Sequence, residues 1–131
     1  MILHHIWRII KLLVTDTKGG DRLKIHDYHT SGGKNVIKEY LSSLPEEERV
    51  IGYSIRHRIV HNGLDALKEL NTRQLRGKLW EIKFSQNRVM YVVADADNIY
   101  FFHACRKQKG KAETFELEKA IQRANEKGFN I

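Results

Sequence analysis

The sequence predicts an α+β fold: an N-terminal strand, two helices, a three-stranded antiparallel meander that completes a small sheet, and a C-terminal helix. Changes in hydrophobic period indicate this order. Apolar residues recur at helical spacing in residues 35–61, alternate with polar residues in residues 78–94, and return to helical spacing after residue 114. A chain of 131 residues also has the length of a single domain.

The first half of the chain contains the predicted N-terminal strand and both early helices. Residues 22–28 alternate weakly and indicate a short strand. Residues 35–44 carry an apolar stripe that is typical of a helix, which ends before Pro45. Three glutamates directly after this proline favour a second helix to about residue 61, because anions stabilise the positive end of the helix dipole. One more helical turn is predicted in residues 64–70.

The second half predicts three strands and the last helix. Residues 78–84 and 88–94 alternate between apolar and polar side chains, and a turn separates them. Residues 99–105 are almost wholly apolar and rich in aromatic side chains, which predicts a central strand buried on both faces. A final helix is predicted from Thr114, as its cap, to about Lys127.

Residues 1–21 stand outside this pattern, and we interpret them as an N-terminal extension to a domain at residues 22–131. Apolar side chains recur at helical spacing in residues 1–14, as is typical of an amphipathic helix. No apolar run in the sequence approaches the roughly 20 residues that span a bilayer. We therefore expect a protein without a membrane-spanning segment.

The cysteine and histidine content predicts neither a disulfide nor a metal site. The single cysteine, Cys105, cannot form an intramolecular disulfide, and such cysteine usage is typical of the reducing cytoplasm. His57 and His61 lie one helical turn apart, but the sequence offers no third ligand near them. No metal and no cofactor are predicted.

Positive charge is concentrated in one segment of the chain. The net charge is +7, and residues 73–111 contribute +6 of it through nine cations and three acids. Such a field favours a polyanionic partner, most simply nucleic acid, and a solvated basic surface is the alternative interpretation. The cations of this segment are Arg73, Arg76, Lys78, Lys83, Arg88, Arg106, Lys107, Lys109 and Lys111.

The strand pattern predicts where some of these cations meet. If four residues form the turn of the first hairpin, Lys83 lies opposite Arg88, and Glu81 lies opposite Met90 on the same face. Like charges placed opposite each other lower stability unless water or a bound anion separates them. We therefore expect a cationic sheet face that binds phosphate, with the helices packed against the other face.

A face of this kind suits an endoribonuclease that works without a metal ion. Such an enzyme deprotonates the 2′-hydroxyl, stabilises a more negative phosphate and protonates the leaving 5′-oxygen. Lys83 and His103 are the candidates for proton transfer. His103 lies in an apolar strand, so a hydrogen-bonded core histidine is the alternative for it. Glu81 is a further candidate base, but an ion pair with Lys83 or Arg88 is the favoured role.

Four short runs of residues together resemble the RelE/ParE superfamily of toxins from toxin–antitoxin systems. The chain is similar to the phage-derived, HigB-like branch of this superfamily, over about residues 22–129. The resemblance implies a RelE-like fold. The runs are Val36–Leu41 leading into Leu44-Pro45, Lys-Leu-Trp-Glu-Ile-Lys at Lys78–Lys83, Arg-Val-Met-Tyr at Arg88–Tyr91, and Phe-Phe-His-Ala at Phe101–Ala104.

The resemblance also implies a function and partners. Toxins of this branch are mRNA interferases, endoribonucleases that cleave messages, commonly on the ribosome, in the cytoplasm. An antitoxin, expected to be a small helix-turn-helix protein, binds and neutralises the toxin in a small oligomer. Two other functions remain open: inhibition of DNA gyrase, as in the ParE branch, and non-catalytic binding of nucleic acid.

The family's functional residues can be carried over one by one. Arg88 matches the arginine of the second meander strand, and we expect Arg88 and Arg106 to stabilise the transition state. His103 matches the third-strand histidine. Lys83 stands where the family has an arginine, so it keeps the charge but loses the bidentate fork. The loop before the last helix lacks the family's Thr-Pro, and residues 1–20 have no counterpart. The cations expected to position RNA phosphates are Arg73, Arg76, Lys78, Lys107, Lys109 and Lys111.

Overall fold

The computed structural model describes residues 22–131, and the extension predicted at residues 1–21 lies outside the described residues. The described part of the chain forms one five-stranded sheet with helices on both faces, which confirms the predicted α+β class and is consistent with a RelE-like fold. In chain order its elements are β1 (Lys24–Asp27), α1 (Val36–Ser42), α2 (Glu46–Asn62), α3 (Leu64–Glu69), β2 (Thr72–Arg76), β3 (Leu79–Phe84), β4 (Asn87–Val93), β5 (Asn98–Arg106) and α4 (Lys111–Glu126).

The sheet is mixed and has the strand order β1-β5-β4-β3-β2. β1 runs parallel to β5, and the other neighbouring strands are antiparallel. A parallel pair needs a long crossover, which here comprises α1 to α3 and the strands β2 to β4. β5 is therefore the predicted central strand, with a neighbour on each side, and Ile99, Phe101 and Phe102 in it are buried.

The β3–β4 hairpin has the predicted register. Lys83 pairs with Arg88, and Glu81 pairs with Met90. The connection is tight, and Ser85 in it adopts a φ of 53°, in the left-handed region that few residues other than glycine occupy. The hairpin thus brings the like-charged pair Lys83 and Arg88 to one end of the sheet, as the alternation of side chains predicts.

β2 is a strand that the sequence pattern does not predict. It pairs with β3 at one edge of the sheet, and the register shifts between Gln74 and Arg76. Its side chains are half-buried or exposed, because an edge strand has a neighbour on one side only. An exposed edge strand needs no apolar alternation, and the polar sequence Thr-Arg-Gln-Leu-Arg therefore gives no strand signal.

Two helix boundaries have identifiable causes. α1 begins after Asn35, whose side-chain oxygen accepts hydrogen bonds from the backbone N–H groups of Ile37 and Lys38. α4 begins at Lys111, earlier than the predicted cap. Gly110 turns the chain with a φ of 62°, and the Thr114 hydroxyl donates to the Gly110 carbonyl from within the first turn. Thr114 is therefore a helical residue and not the N-cap.

The sheet buries apolar side chains on both faces. Helices α1 to α3 cover the face that presents Ile82, Tyr91 and Phe101. α4 covers the other face, where Ala120 and Ala124 are fully buried. The prediction that all helices lie on one side of an open cationic sheet is wrong. Small side chains on α4 allow it to approach the sheet closely, and this contact buries the apolar residues that lie between the charged ones, which are Leu79, Met90, Val92, Phe102 and Cys105.

Candidate functional site

A groove opens between α4 and the end of the sheet that carries the hairpin, with a volume of about 310 Å³. We call it the cationic groove. Arg73 of β2, Arg88 of β4, Arg106 of β5 and Lys107 line it, which brings together four of the predicted cations. Glu81, which the sequence predicts on this face, also lines the groove. Two acidic side chains of α4 that the sequence does not place there, Glu113 and Glu116, line it as well.

Arg73 links two of these carboxylates. Its Nη2 atom lies 2.7 Å from Oε2 of Glu81 and 3.8 Å from Oε2 of Glu113. Glu81 is buried, and its Oε2 has no partner with hydrogen-bond geometry, so the contact is an ion pair alone. The predicted ion pair of Glu81 thus forms with Arg73 and not with Lys83 or Arg88. The reason is β2, which places Arg73 directly opposite Glu81.

Arg88 lies at the hairpin end of the groove and is held by the backbone. Its Nη1 donates to the carbonyl oxygens of Asn87 at 2.8 Å and Ser85 at 3.3 Å. Both bonds use Nη1 alone. The guanidinium has five N–H donors in all, so the donors on its other two nitrogens are not used by these bonds. Lys83 is half-buried opposite Arg88 but does not line the groove.

Arg106 is anchored by a short hydrogen-bonded chain that reaches α1. Glu48 of α2 accepts from Arg106 Nη1 at 3.2 Å and from Asn87 Nδ2 at 2.8 Å. Asn87 Oδ1 accepts in turn from the Tyr40 hydroxyl at 2.6 Å. Burial raises the pKa of Tyr40 to about 12, so the hydroxyl remains a donor at neutral pH. This chain fixes the guanidinium of Arg106 beside the groove.

His103 is buried beneath α4 and does not line the groove itself, but it contacts Glu116, which does. Its Nδ1 lies 3.0 Å from Nη1 of Arg123, and its Nε2 lies 2.5 Å from Oε2 of Glu116. A guanidinium can only donate, so Nδ1 accepts and Nε2 carries the proton that is donated to Glu116. Burial, opposed by Glu116 and aided by Arg123 and Lys119, lowers the pKa of His103. The neutral Nε2–H tautomer results.

His103, Cys105 and Glu116 come close enough together to be considered as metal ligands. Coordination through Nε2 of His103 would move the ring proton to Nδ1, where it would face the Arg123 guanidinium donor. Burial, with a contribution from Glu116, also raises the pKa of the Cys105 thiol to about 12, which opposes formation of the thiolate that binds metals. These three residues therefore fit a hydrogen-bonded cluster better than a metal centre.

Several predicted site residues lie outside the cationic groove. Arg76 and Lys78 flank the exposed β2–β3 turn, Lys109 lies in the exposed loop before α4, and Lys111 is the exposed first residue of α4. The charged residues that the sequence interpretation missed, Glu48, Glu113, Glu116 and Arg123, come from helices. Glu113 and Glu116 lie three residues apart and so share a helix side, but only the packing of α4 shows that this side faces the sheet.

A comparison with protein families identifies the class to which the chain belongs. Residues 39–125 match the family model described as Phage derived protein Gp49-like (DUF891). The chain therefore belongs to this Gp49-like family of phage-derived proteins, a RelE-type, toxin-like family of toxin–antitoxin systems. No curated protein matches the chain. None of the helices in residues 22–131 has both the length and the apolar character that crossing a bilayer requires.

Proposed function

We propose that this protein is an mRNA interferase: an endoribonuclease toxin of a type II toxin–antitoxin system, of the HigB-like kind. The observation that carries the proposal is the convergence of Arg73, Arg88 and Arg106 on one groove from three different strands. Arginine binds phosphate through a planar fork and keeps its charge, so this arrangement suits the backbone of RNA.

The proposed reaction is attack of the 2′-hydroxyl oxygen on the adjacent phosphorus. The new O–P bond forms as the bond to the 5′-oxygen breaks, which leaves a 2′,3′-cyclic phosphate and a 5′-hydroxyl. The 2′-hydroxyl loses a proton to a base, and the leaving oxygen gains one from an acid. Arg88 and Arg106 stabilise the additional negative charge on the phosphate.

The proton-transfer groups in this proposal are Lys83 and His103. His103 acts through Glu116, because Nε2–H is donated to that carboxylate and Glu116 lines the groove. Lys83 pairs with Arg88 across the hairpin, and in this proposal it reaches the substrate from outside the groove lining. Other phosphates of the RNA are bound by the remaining cations, which are Arg73, Arg76, Lys78, Lys107, Lys109 and Lys111.

The proposal includes the cellular partners of such a toxin. The substrate is mRNA engaged on the ribosome in the cytoplasm. A cognate antitoxin, proposed to be a small helix-turn-helix protein, neutralises the toxin in a small oligomer. The exposed cations around the groove support binding of RNA and of an acid-rich antitoxin, because both kinds of partner are attracted to positive charge.

Induced expression with mapping of RNA ends tests the proposal. The wild-type chain should arrest growth and create new mRNA 5′ ends within minutes. Arg88→Ala should abolish both effects, because it removes a fork aimed at the phosphate. Lys38→Ala removes an exposed cation on α1, which covers the other face of the sheet, and should behave as wild type.

Equal toxicity and identical RNA ends with Arg88→Ala would overturn this assignment. So would inhibition of DNA gyrase in a supercoiling assay with mRNA left intact, which is the outcome expected of a ParE-like inhibitor. Salt-sensitive RNA binding without cleavage in the presence of ribosomes would leave only a non-catalytic binding module.

A further inference from the structure

A second groove lies on the other face of the sheet, between α3 and the β2–β3 hairpin. Its volume is about 520 Å³, and we call it the Trp80 groove. Trp80 is 37% exposed although it belongs to the face that α1 to α3 cover. Helix α3 ends beside it and leaves the indole open to solvent. The lining residues are Leu67, Lys68, Thr72, Gly77, Lys78, Trp80, Tyr91 and Val93.

The Trp80 groove combines a rigid aromatic surface with positive charge. Tyr91 pairs with Trp80 across the β3–β4 hairpin and is itself buried, so the indole rests on a packed strand. Lys68 and Lys78 are the charged residues among the described ones that line the groove, and both are cations. Lys68 also lies 3.5 Å from Asp65, but this pair is highly exposed and contributes little.

We propose that the Trp80 groove binds a nucleotide of single-stranded RNA, with its base stacked on the indole of Trp80 and its phosphates on Lys68 and Lys78. Aromatic side chains flanked by cations bind single strands in this manner, because every base offers a π-face. The inference rests on the proposed function for RNA as the ligand, and it adds a binding site away from the cleavage site.

The edge strand β2 makes a continuous path between the two grooves. Arg73 on β2 lines the cationic groove, whereas Thr72 next to it lines the Trp80 groove. No strand lies beyond β2 in the described sheet, so a nucleic acid strand can pass around this edge. Arg76 and Lys78 flank the turn at its end. The RNA backbone would therefore meet Arg73, Arg76 and Lys78 as it passes this edge.

Fluorescence of Trp80 tests stacking directly. The chain has two tryptophans, so Trp7→Phe leaves Trp80 as the single indole. The probe is a 2′-O-methyl oligonucleotide, which has no free 2′-hydroxyl and cannot be cleaved by the proposed reaction. Saturating binding should quench the indole emission strongly. An abasic oligomer of the same length and charge should bind more weakly and should not quench.

Substitutions in the Trp7→Phe background separate stacking from charge. Trp80→Leu should weaken binding of the oligonucleotide at least tenfold, which corresponds to about 1.4 kcal/mol. Trp80→Phe should retain most of the affinity, because it keeps an aromatic face. Phe115→Leu is the matched control: Phe115 is 59% exposed on α4, on the other side of the sheet, and its loss should leave affinity unchanged.

The results distinguish this inference from the proposed function. Cleavage of RNA together with an unquenched Trp80 would overturn the stacking site and leave the toxin assignment intact. Quenching without cleavage would support the stacking site while the assignment as a nuclease fails. Equal quenching by polyglutamate and by the oligonucleotide would mean that the groove binds an acidic protein segment, and would also overturn the inference.

Discussion

At the scale of single residues, the cations of the cationic groove are held in different ways. Arg73 forms ion pairs with Glu81 and Glu113, and Arg106 donates to Glu48. Arg88 donates to backbone carbonyls and faces no carboxylate within ion-pair distance in the described residues. Because a carboxylate partner competes with phosphate, Arg88 is the guanidinium most available to a substrate.

The buried side chain of His103 makes stability depend on pH. Its pKa is lowered in the folded protein, so the unfolded chain binds the proton more tightly. The stabilisation is complete above the unfolded pKa of about 6.5 and is lost as pH falls from there toward the lower folded value. Urea unfolding at pH 7.5 and pH 5.5 should show lower stability at pH 5.5. His103→Gln should reduce this difference.

Four charged or titratable groups face His103, and they define the control. Glu116, Lys119 and Arg123 lie on α4, and Cys105 lies two residues along β5. His29→Gln replaces an exposed histidine and should leave the pH dependence as in the wild type. If both substitutions reduced the difference in stability between pH 7.5 and pH 5.5 equally, the pH dependence would come from the net charge of the protein and not from the buried His103 ring.

Asn87 provides a second test at residue scale. It is fully buried and links Tyr40 to Glu48 through two side-chain hydrogen bonds. Asn87→Ala leaves both partners without this contact and should lower the free energy of unfolding by about 1–3 kcal/mol. Asn71→Ala, at an exposed site, should change it by less than about 0.5 kcal/mol. Urea denaturation of both variants measures the difference.

At the scale of elements, β1 and α2 are joined by an ion pair that the sequence does not reveal. Arg56 of α2 donates two parallel hydrogen bonds, of 2.7 and 2.8 Å, to the carboxylate of Asp27. Asn35 donates to the same carboxylate, and the guanidinium carbon of Arg56 lies 5.5 Å from the centroid of the Phe101 ring. The pair thus connects the edge strand, the loop before α1 and the central strand.

The helix α2 offers a matched comparison of buried and exposed ion pairs. Arg56→Ala leaves a nearly buried Asp27 without its partner and should lower the free energy of unfolding by about 3–5 kcal/mol. Arg58→Ala removes an exposed pair with Glu69 and should cost at most about 1 kcal/mol. Thermal and urea unfolding compare the two. Similar losses of unfolding free energy in the two variants would show that the hydrogen bonds around Asp27 are not a major stabilising contact between β1 and α2.

At the scale of the whole molecule, the positive electrostatic potential of residues 73–111 should determine how strongly the affinity for RNA depends on salt. For a single strand, the slope of log K against log salt is about −0.7 for each phosphate neutralised. Removing Arg88 and Arg106 together should therefore make the slope less steep by about 1.4. Titration of an uncleavable oligonucleotide at several salt concentrations measures this, and Lys38→Ala should leave the slope unchanged. An unchanged slope for the double variant would place the phosphates elsewhere.

The local elements could be predicted from the sequence because their causes are local. The 3.6-residue period of α1 and α2 and the alternation of β3 and β4 follow from which side chains repeat. The same alternation predicts the register of Lys83 with Arg88, since a one-residue slip would turn every apolar side chain of β3 the wrong way. The concentration of cations in residues 73–111 is likewise a property of the sequence alone.

Only the tertiary structure decided what surrounds those cations. α4 covers the sheet face that the sequence suggested was open, because the packing of Ala120 and Ala124 into the same buried cluster as Met90 depends on how distant segments meet. That packing closes the groove, brings Glu116 to His103 and determines the histidine tautomer. β2, which has no apolar alternation, supplies the partner of Glu81. Periodicity specifies which face each element buries, but it carries no information on which distant element covers that face.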